Sequence, residues 1–579
     1  MKKITLLLSA LLAAVLIAAC GNTDKPADGS SGPSSAEVDD TPAALEGWFD
    51  YGSALYEMKA DNITVKNAMD SISIEMAKNE IEGFQYVITS DKDVSGLRCD
   101  VTPLSDGDGH ELDGTVYVAW YTYLARTDFQ PLYHPRGFYP VALLPIDDGY
   151  QGGTFDIAKN SVRTLYVSYR TDINTVPGTY TGTLTVSRGG ETLFTGGVSV
   201  KVRDVYYDEK TECLSLIGLG YDKTDPNPSV PEGPEGAPAI GLQQTPGIFA
   251  NEELTRKYAD FLLENRFCPS NLPLKDDLLS DDAAFYLDNP RYNSVYLRYI
   301  PAWWKYSNEH LSDLSKKYEV AKAHGWLDKI YFSYFDEPHE DGHLKQILRE
   351  AKRSHFEGCV FPSKNLLDAI LVDLPSADGK KNIIDRLSAA TTVYCPKVQF
   401  FTGGIRDSML RLKEERGDTL FWYVCSGSTA DTINRLPCTP GTDKRLLFWM
   451  QYQQNVDGFL YWRATFWNNS VDVWDRDYMS KGYRTTPTGA GGTDEGVMIY
   501  WHPVTGEPVS TLGFEAMRDG VEDFQLLKMV EAKFGREKAL EYASQLATDV
   551  NKYVRYEKGS TQLLNDLRSQ LFDLVENAG

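Results

Sequence analysis

Between positions 48 and about 205 apolar and polar residues alternate in short runs, at 71–75, 84–89, 115–124, 165–169, 179–186 and 197–202. Pro177-Gly178 and Gly189-Gly190 punctuate them. A period of two predicts half-buried strands, and this many short ones predict an antiparallel β-sandwich over 47–205. Past 205 the pattern becomes strand then helix. Strand candidates fall at 213–218, 294–299, 329–335, 390–394, 419–425, 458–462 and 497–501. Between them, Leu254, Tyr258, Phe261 and Leu262 share one helical face, and Leu311, Leu314, Tyr318 and Ala321 mark another helix that Gly325 stops. Alternating strands and helices over roughly 300 residues predict a (β/α)8 TIM-like barrel over 206–512. From 513 to 579 the sequence reads as a helical appendage, with Leu564, Leu567, Leu571 and Leu574 spaced for a buried stripe.

The first residues depart from this globular pattern. Met1-Lys2-Lys3 precedes an apolar run over 4–19 that is too short and wrongly flanked for a transmembrane helix, which predicts a secretory signal over 1–19. Ile17-Ala18-Ala19-Cys20 resembles a bacterial lipobox, making Cys20 the lipidation candidate. Residues 20–46, rich in Ser, Gly, Pro and Asp, have too little apolar content to fold and read as a flexible linker. The expectation is an extracytoplasmic protein, lipid-anchored to a bacterial membrane.

Composition narrows the partners. The formal charge of −24 becomes −26 once Lys2 and Lys3 leave with the signal, which argues against nucleic acid. Eleven Trp and 34 Tyr are many for 579 residues, and aromatic faces suit the apolar faces of sugar rings. Setting Cys20 aside leaves seven of the eight cysteines, scattered without paired metal spacing and expected mostly as buried free thiols. A Cys425–Cys438 disulfide stays open as an option. Oligomeric state cannot be read from the chain.

The most informative stretch is Tyr331-Phe332-Ser333-Tyr334-Phe335-Asp336-Glu337-Pro338, an aromatic strand that ends in two adjacent carboxylates. Pro338 cannot extend a ladder, so the pair sits at the strand's C-terminal end, the active-site edge of an α/β barrel. Two carboxyls in a partly dry aromatic setting do not both ionise cheaply, so a proton donor and a fixed anion become available together. The competing reading is a strand-end turn with both acids solvated or paired to Lys or Arg. Trp303-Trp304, Tyr334, Tyr461-Trp462 and Trp467 follow or end barrel strands and are candidate substrate-binding aromatics; core packing is the alternative for each.

Other motifs lead away from cofactors. His339-Glu340-Asp341-Gly342-His343 satisfies the zinc-protease pattern in letters, but Pro338 and Gly342 are poor for the helix that would bring both imidazoles to one face. Asp472, Asp475 and Asp477 read as a solvated acidic loop before a calcium site. Gly218-Leu219-Gly220 lacks the rest of a dinucleotide fingerprint, and no P-loop or nucleophile elbow is present. No metal or cofactor is expected.

The residues resemble a bacterial group built on a domain of unknown function related to glycoside hydrolase family 123, whose studied members are β-N-acetylgalactosaminidases. The resemblance runs through 77–85, 177–182, Phe335-Asp336-Glu337-Pro338, 458–467 and 514–523. It implies substrate-assisted retaining hydrolysis of a glycan, in which the sugar's 2-acetamido oxygen attacks its own anomeric carbon. By that resemblance Asp336 orients the acetamido group, while Glu337 protonates the leaving oxygen and then deprotonates water. Thr465, Tyr500-Trp501-His502 and Gly513 depart from the group's pattern, so the sugar is less firmly implied than the reaction. A non-catalytic cell-surface glycan-binding lipoprotein, or an adhesin using the sandwich, are the other classes.

Overall fold

The computed structural model describes residues 42–63, 65–124, 137–147, 151–219, 252–273, 282–299, 308–333, 341–356, 366–370, 383–424, 432–465, 474 and 497–578. The N-terminal strands are β1 (Leu45–Tyr51), β2 (Ser71–Lys78), β3 (Ile81–Ser90), β4 (Val94–Val101), β5 (Leu104–Ser105), β6 (Glu111–Leu112), β7 (Gly114–Leu124), β8 (Gly137–Pro145), β9 (Phe155–Ile157), β10 (Ser161–Arg170), β11 (Gly178–Arg188) and β12 (Glu191–Tyr206). They form two sheets, β1-β3-β10-β7-β8 and β2-β12-β11-β4-β9, with β5 and β6 at the side of the second. Alternate residues of both, among them Phe84, Tyr86, Leu165, Leu184 and Val200, share one apolar core. The sheets are antiparallel with one correction to expectation: the edge strand β2 runs parallel to β12.

A third sheet is wholly parallel. Its strands are β13 (Leu214–Ile217), β14 (Val295–Tyr299), β15 (Ile330–Ser333), β16 (Leu366–Ile370), β17 (Val393–Pro396), β18 (Thr419–Tyr423) and β19 (Gly458–Tyr461), in the order β13-β19-β18-β17-β16-β15-β14. Helices alternate with these strands: α1 (Glu252–Glu264), α2 (Ala283–Leu287), α3 (Asn308–His324), α4 (Asp341–Phe356), α5 (Ile383–Leu387), α6 (Gly403–Arg416) and α7 (Gly441–Gln453). The expected face of α1 is found, with Leu254, Tyr258 and Leu262 buried. Gly325, at φ +77°, follows α3 in the left-handed conformation that ends helices.

The parallel sheet is strongly curled. Tyr331 of β15 and Phe421 of β18 lie three strands apart, which a flat sheet would separate by about 14 Å at ~4.8 Å per strand. Their ring centroids are 5.2 Å apart. Leu216, Tyr331, Val393, Cys395, Phe421, Tyr423 and Leu460, drawn from five strands, accordingly form one inner cluster. Among the described residues the ladders do not close: β13 and β14, the two ends of the order, do not pair with each other, and the pairing beyond β13 is a single parallel bridge from Ile217 to Pro269. The run at 497–501, expected as a barrel strand, instead gives β20 (Tyr500–Trp501), hairpinned to β21 (Pro508–Val509) off the parallel sheet.

The C-terminal helices are α8 (Leu512–Phe534), α9 (Arg536–Leu546) and α10 (Ser560–Asn577), with a small hairpin of β22 (Ala547–Asp549) and β23 (Lys552–Tyr553). Thr511 caps α8 by accepting the Phe514 N–H at 3.1 Å. Leu564, Leu567 and Leu571 are buried and Leu574 packs against them, as the spacing predicts. Cys99, Cys213, Cys268, Cys395 and Cys438 are buried free thiols; Cys425, the other half of the disulfide option, lies outside the described residues.

Candidate active site

The strand that leads to the acid pair is anchored at its start. Lys329 donates to the carbonyls of Leu287 (2.5 Å) and Asn289 (3.3 Å), and burial lowers its pKa. Tyr331 then points to the inner face, where burial raises its hydroxyl well above the ordinary tyrosine range. Asp336, Glu337 and Tyr334 come just after Ser333 and lie outside the described residues, as do Cys20, Trp303, Trp304 and Trp467. His339 and Glu340 also lie outside them; α4 begins at Asp341, so Gly342 and His343 occupy its first turn. Among the described residues no three His, Cys, Asp or Glu side chains are placed to hold a metal ion.

What the structure does show is how the C-terminal edge of the parallel sheet is held around β19. The Gly218 N–H donates to the Tyr461 carbonyl at 3.0 Å, and the Ala464 N–H returns a bond to the Gly218 carbonyl at 2.6 Å. This mutual approach needs a glycine, since a Cβ on residue 218 would lie 2.0 Å from the Trp462 carbonyl oxygen. Gly218, the first glycine of the incomplete dinucleotide-like run, is thus a packing residue. The Thr465 hydroxyl donates to the Leu219 carbonyl, and Thr465 pairs with Val497. Arg435, buried in the segment between β18 and α7, closes the belt by donating to the Val497 carbonyl and the Tyr461 hydroxyl.

Two placements follow for the aromatic candidates. Phe459 and Tyr461 belong to the layer between sheet and helices, while Leu460 between them faces the inner cluster. Tyr461 is 1% exposed, with the Arg435 guanidinium 4.3 Å from its ring centroid. It is therefore a wall of the belt and not an open sugar platform, which corrects the expectation that it lines the mouth. Trp462 is half-buried at the strand end. Arg435 and Lys397, which is buried and bridges Tyr423 at the same edge, were not singled out in the sequence. A buried Arg beside a Pro-rich turn gives no local signal of its partner.

The remaining departures have structural employment. The ring nitrogen Nδ1 of His502 accepts the N–H groups of Val504 (3.2 Å) and Thr505 (3.0 Å), which builds the turn between β20 and β21. At Gly513 a Cβ would sit 3.2 Å from the Lys444 ammonium, so that lysine fills the space a side chain would take. A cavity of about 20 Å³ lies there, lined by Arg435, Lys444, Thr511 and Phe514 among others. It has room for about one water and none for a sugar ring, and none of its lining residues comes from β13 to β18.

Residues 283–530 match the family model of the glycoside hydrolase 123 catalytic domain. The interval starts at α2, runs into α8, and encloses β14 to β19 together with Asp336 and Glu337. The structure is similar to that of a family 123 glycoside hydrolase from Clostridium perfringens described for glycolipid glycan hydrolysis, with a TM-score of 0.62 over 92% of this chain and 98% of that one. At 12% identity this is a likeness of fold. A Bacteroides ovatus GH5 xyloglucanase (8% identity, 79% of this chain, 100% of that one, TM-score 0.23) and a family 39 glycoside hydrolase from Bacteroides cellulosilyticus (8%, 79%, 82%, 0.24) are too distant to carry an argument. A comparison with curated proteins finds no match. The domain match supports a glycosidase, on a fold shared along nearly all of both chains.

Proposed function

We propose that the chain is a cofactor-independent glycoside hydrolase acting on a glycan that ends in a β-linked N-acetylhexosamine, GalNAc-like, by substrate-assisted retaining hydrolysis. In this reading Asp336 accepts the acetamido N–H and polarises the amide while the oxazolinium ion forms. Glu337 protonates the leaving oxygen and then takes a proton from water. The observation that carries it is the family 123 catalytic-domain match across β15 and the acid pair that follows it. The segment containing Pro269, bridged to Ile217, would be the second stave of an eight-strand barrel completed between β13 and β14.

Trp462 and, beyond the described residues, Trp303, Trp304, Tyr334 and Trp467 are the proposed sugar-contacting aromatics. The domains proposed for 47–205, 206–512 and 513–579 follow the sequence reading, as does a lipid anchor on Cys20 that holds the enzyme at a bacterial membrane, outside the cytoplasm. The test is hydrolysis of chromogenic β-N-acetylgalactosaminide and β-N-acetylglucosaminide by the native chain and by Glu337→Gln. Turnover that Glu337→Gln abolishes supports the assignment. Glycan binding without turnover in the native chain would replace it with a binding lipoprotein.

A further inference from the structure

Two runs that carry the sequence resemblance, 77–85 and 514–523, lie far apart in the chain and meet in the structure. Glu80 and Glu82, at the start of β3, face α8, and arginines of α7 and α10 enter between them. The Arg445 guanidinium grips Asp523 with two bonds of 2.6 and 2.9 Å and reaches Glu82 at 3.3 Å. Arg568 bonds Glu80 and lies 2.9 Å from Asp523, which also accepts the Trp449 indole N–H at 2.8 Å. Further along α8, Arg518 bonds Glu515 and, at 2.7 Å, Asp519. Glu522 lies 3.6 Å from Arg266, after α1, and 3.7 Å from Arg518. All these carboxylates are buried.

The charges do not balance. Among the described residues six carboxylates face four guanidiniums, with the hydroxyls of Tyr117, Tyr166 and Tyr207 beside them. Two uncompensated carboxylates in a dry joint are costly as anions and cheap as acids.

We propose that this joint is a proton-loaded latch: the sandwich stays seated on α8 while the surplus carboxyls keep their protons, and loosens as alkaline pH removes them. Burial, partly offset by Arg568, pushes Glu80 up to about 7. Burial and neighbouring Glu82 push Asp519 up to about 8, and burial with Glu80 nearby holds Glu522 well above the carboxylate range. In an unfolded chain these groups titrate near ~4. Between there and pH 8 the folded state therefore holds more protons, and its stability falls as pH rises. The contribution is complete below about pH 4, and the shares of Glu80 and Asp519 are lost as pH rises through about 7 and about 8, each proton costing up to about tenfold in the folding constant per pH unit.

The test follows urea unfolding from pH 6 to 9 in the full chain, with hydrogen exchange of β3 and α8 corrected for intrinsic rates. The latch predicts a midpoint that falls with pH and exchange that rises first at this joint. In Asp519→Asn and Glu522→Gln the slope should flatten, because the amides keep the shape and cannot release a proton. Asp443, buried in α7 beside Arg555 and Lys444, is also pushed up to about 7, so Asp443→Asn serves as the control that leaves most of the slope. A wild-type midpoint that is level or rising from pH 6 to 9 overturns the latch, whether or not the variants fold. So does a slope that Asp443→Asn abolishes and Asp519→Asn leaves intact.

Discussion

Gly218→Ala is the sharpest probe of the belt, because the structure fixes what the new methyl would strike. Its Cβ would lie 2.0 Å from the Trp462 carbonyl oxygen and 2.8 Å from the carbonyl carbon, both backbone atoms that no rotamer change can move aside. Residues 462–464 must then withdraw from β13, which breaks the 3.0 Å bond to the Tyr461 carbonyl and the 2.6 Å bond from Ala464. Two backbone bonds are worth about 1–3 kcal/mol together, and forced overpacking adds about 1–3 kcal/mol. We expect a loss of about 2–6 kcal/mol, read as a lower urea midpoint by tryptophan fluorescence. Because Trp462 moves with its carbonyl, KM for the chromogenic glycoside should rise more than kcat falls. Wild-type midpoint and wild-type KM in Gly218→Ala would refute the belt geometry and, with it, the reading of Gly218 as a packing residue.

Glu337→Gln should reduce turnover by about 10²–10⁴-fold, the usual share of general acid catalysis, in the chromogenic assay; undiminished hydrolysis would remove Glu337 from the mechanism. Gly520→Ala should destabilise although alanine favours helices by about 1 kcal/mol, because its Cβ would meet the Arg445 carbonyl and the Phe448 ring, each at 2.6 Å; a raised thermal midpoint would contradict the close approach of α7 and α8. Arg435→Met leaves the Val497 carbonyl and the Tyr461 hydroxyl without their charged donor, so we expect about 2–4 kcal/mol of lost stability and partial recovery in Arg435→Lys, measured by thermal unfolding.

The strands of the sandwich and the alternation of strand and helix were legible because both rest on local period. Pairing was less so, since it depends on distant residues. β8 carries Pro140 and Pro145 and escaped a reading that treats proline as a breaker; it is an edge strand, where missing donors cost little. β16, Leu366–Ile370, was missed because Asp368 interrupts a short apolar run. Period two puts Phe459 and Tyr461 on one side and Leu460 on the other, yet only the curl of the sheet decides which side is inner. The run 514–523 was recognisable as a motif, but nothing local told that its charges answer Glu80 and Glu82 more than 400 positions earlier.

One apolar cluster runs without a break from Leu55, Ala77 and Tyr139, through Tyr258, Trp422 and Phe448, to Leu527 and Leu571. A sandwich that lends side chains to its neighbour's interior is not a detachable accessory. Cutting the chain near residue 206 would leave two fragments with matching greasy wounds, prone to clump alone and to find each other when mixed. By the same reasoning, homologous recombination that swaps this front half for another sandwich would succeed only if the incoming piece brought the same seam.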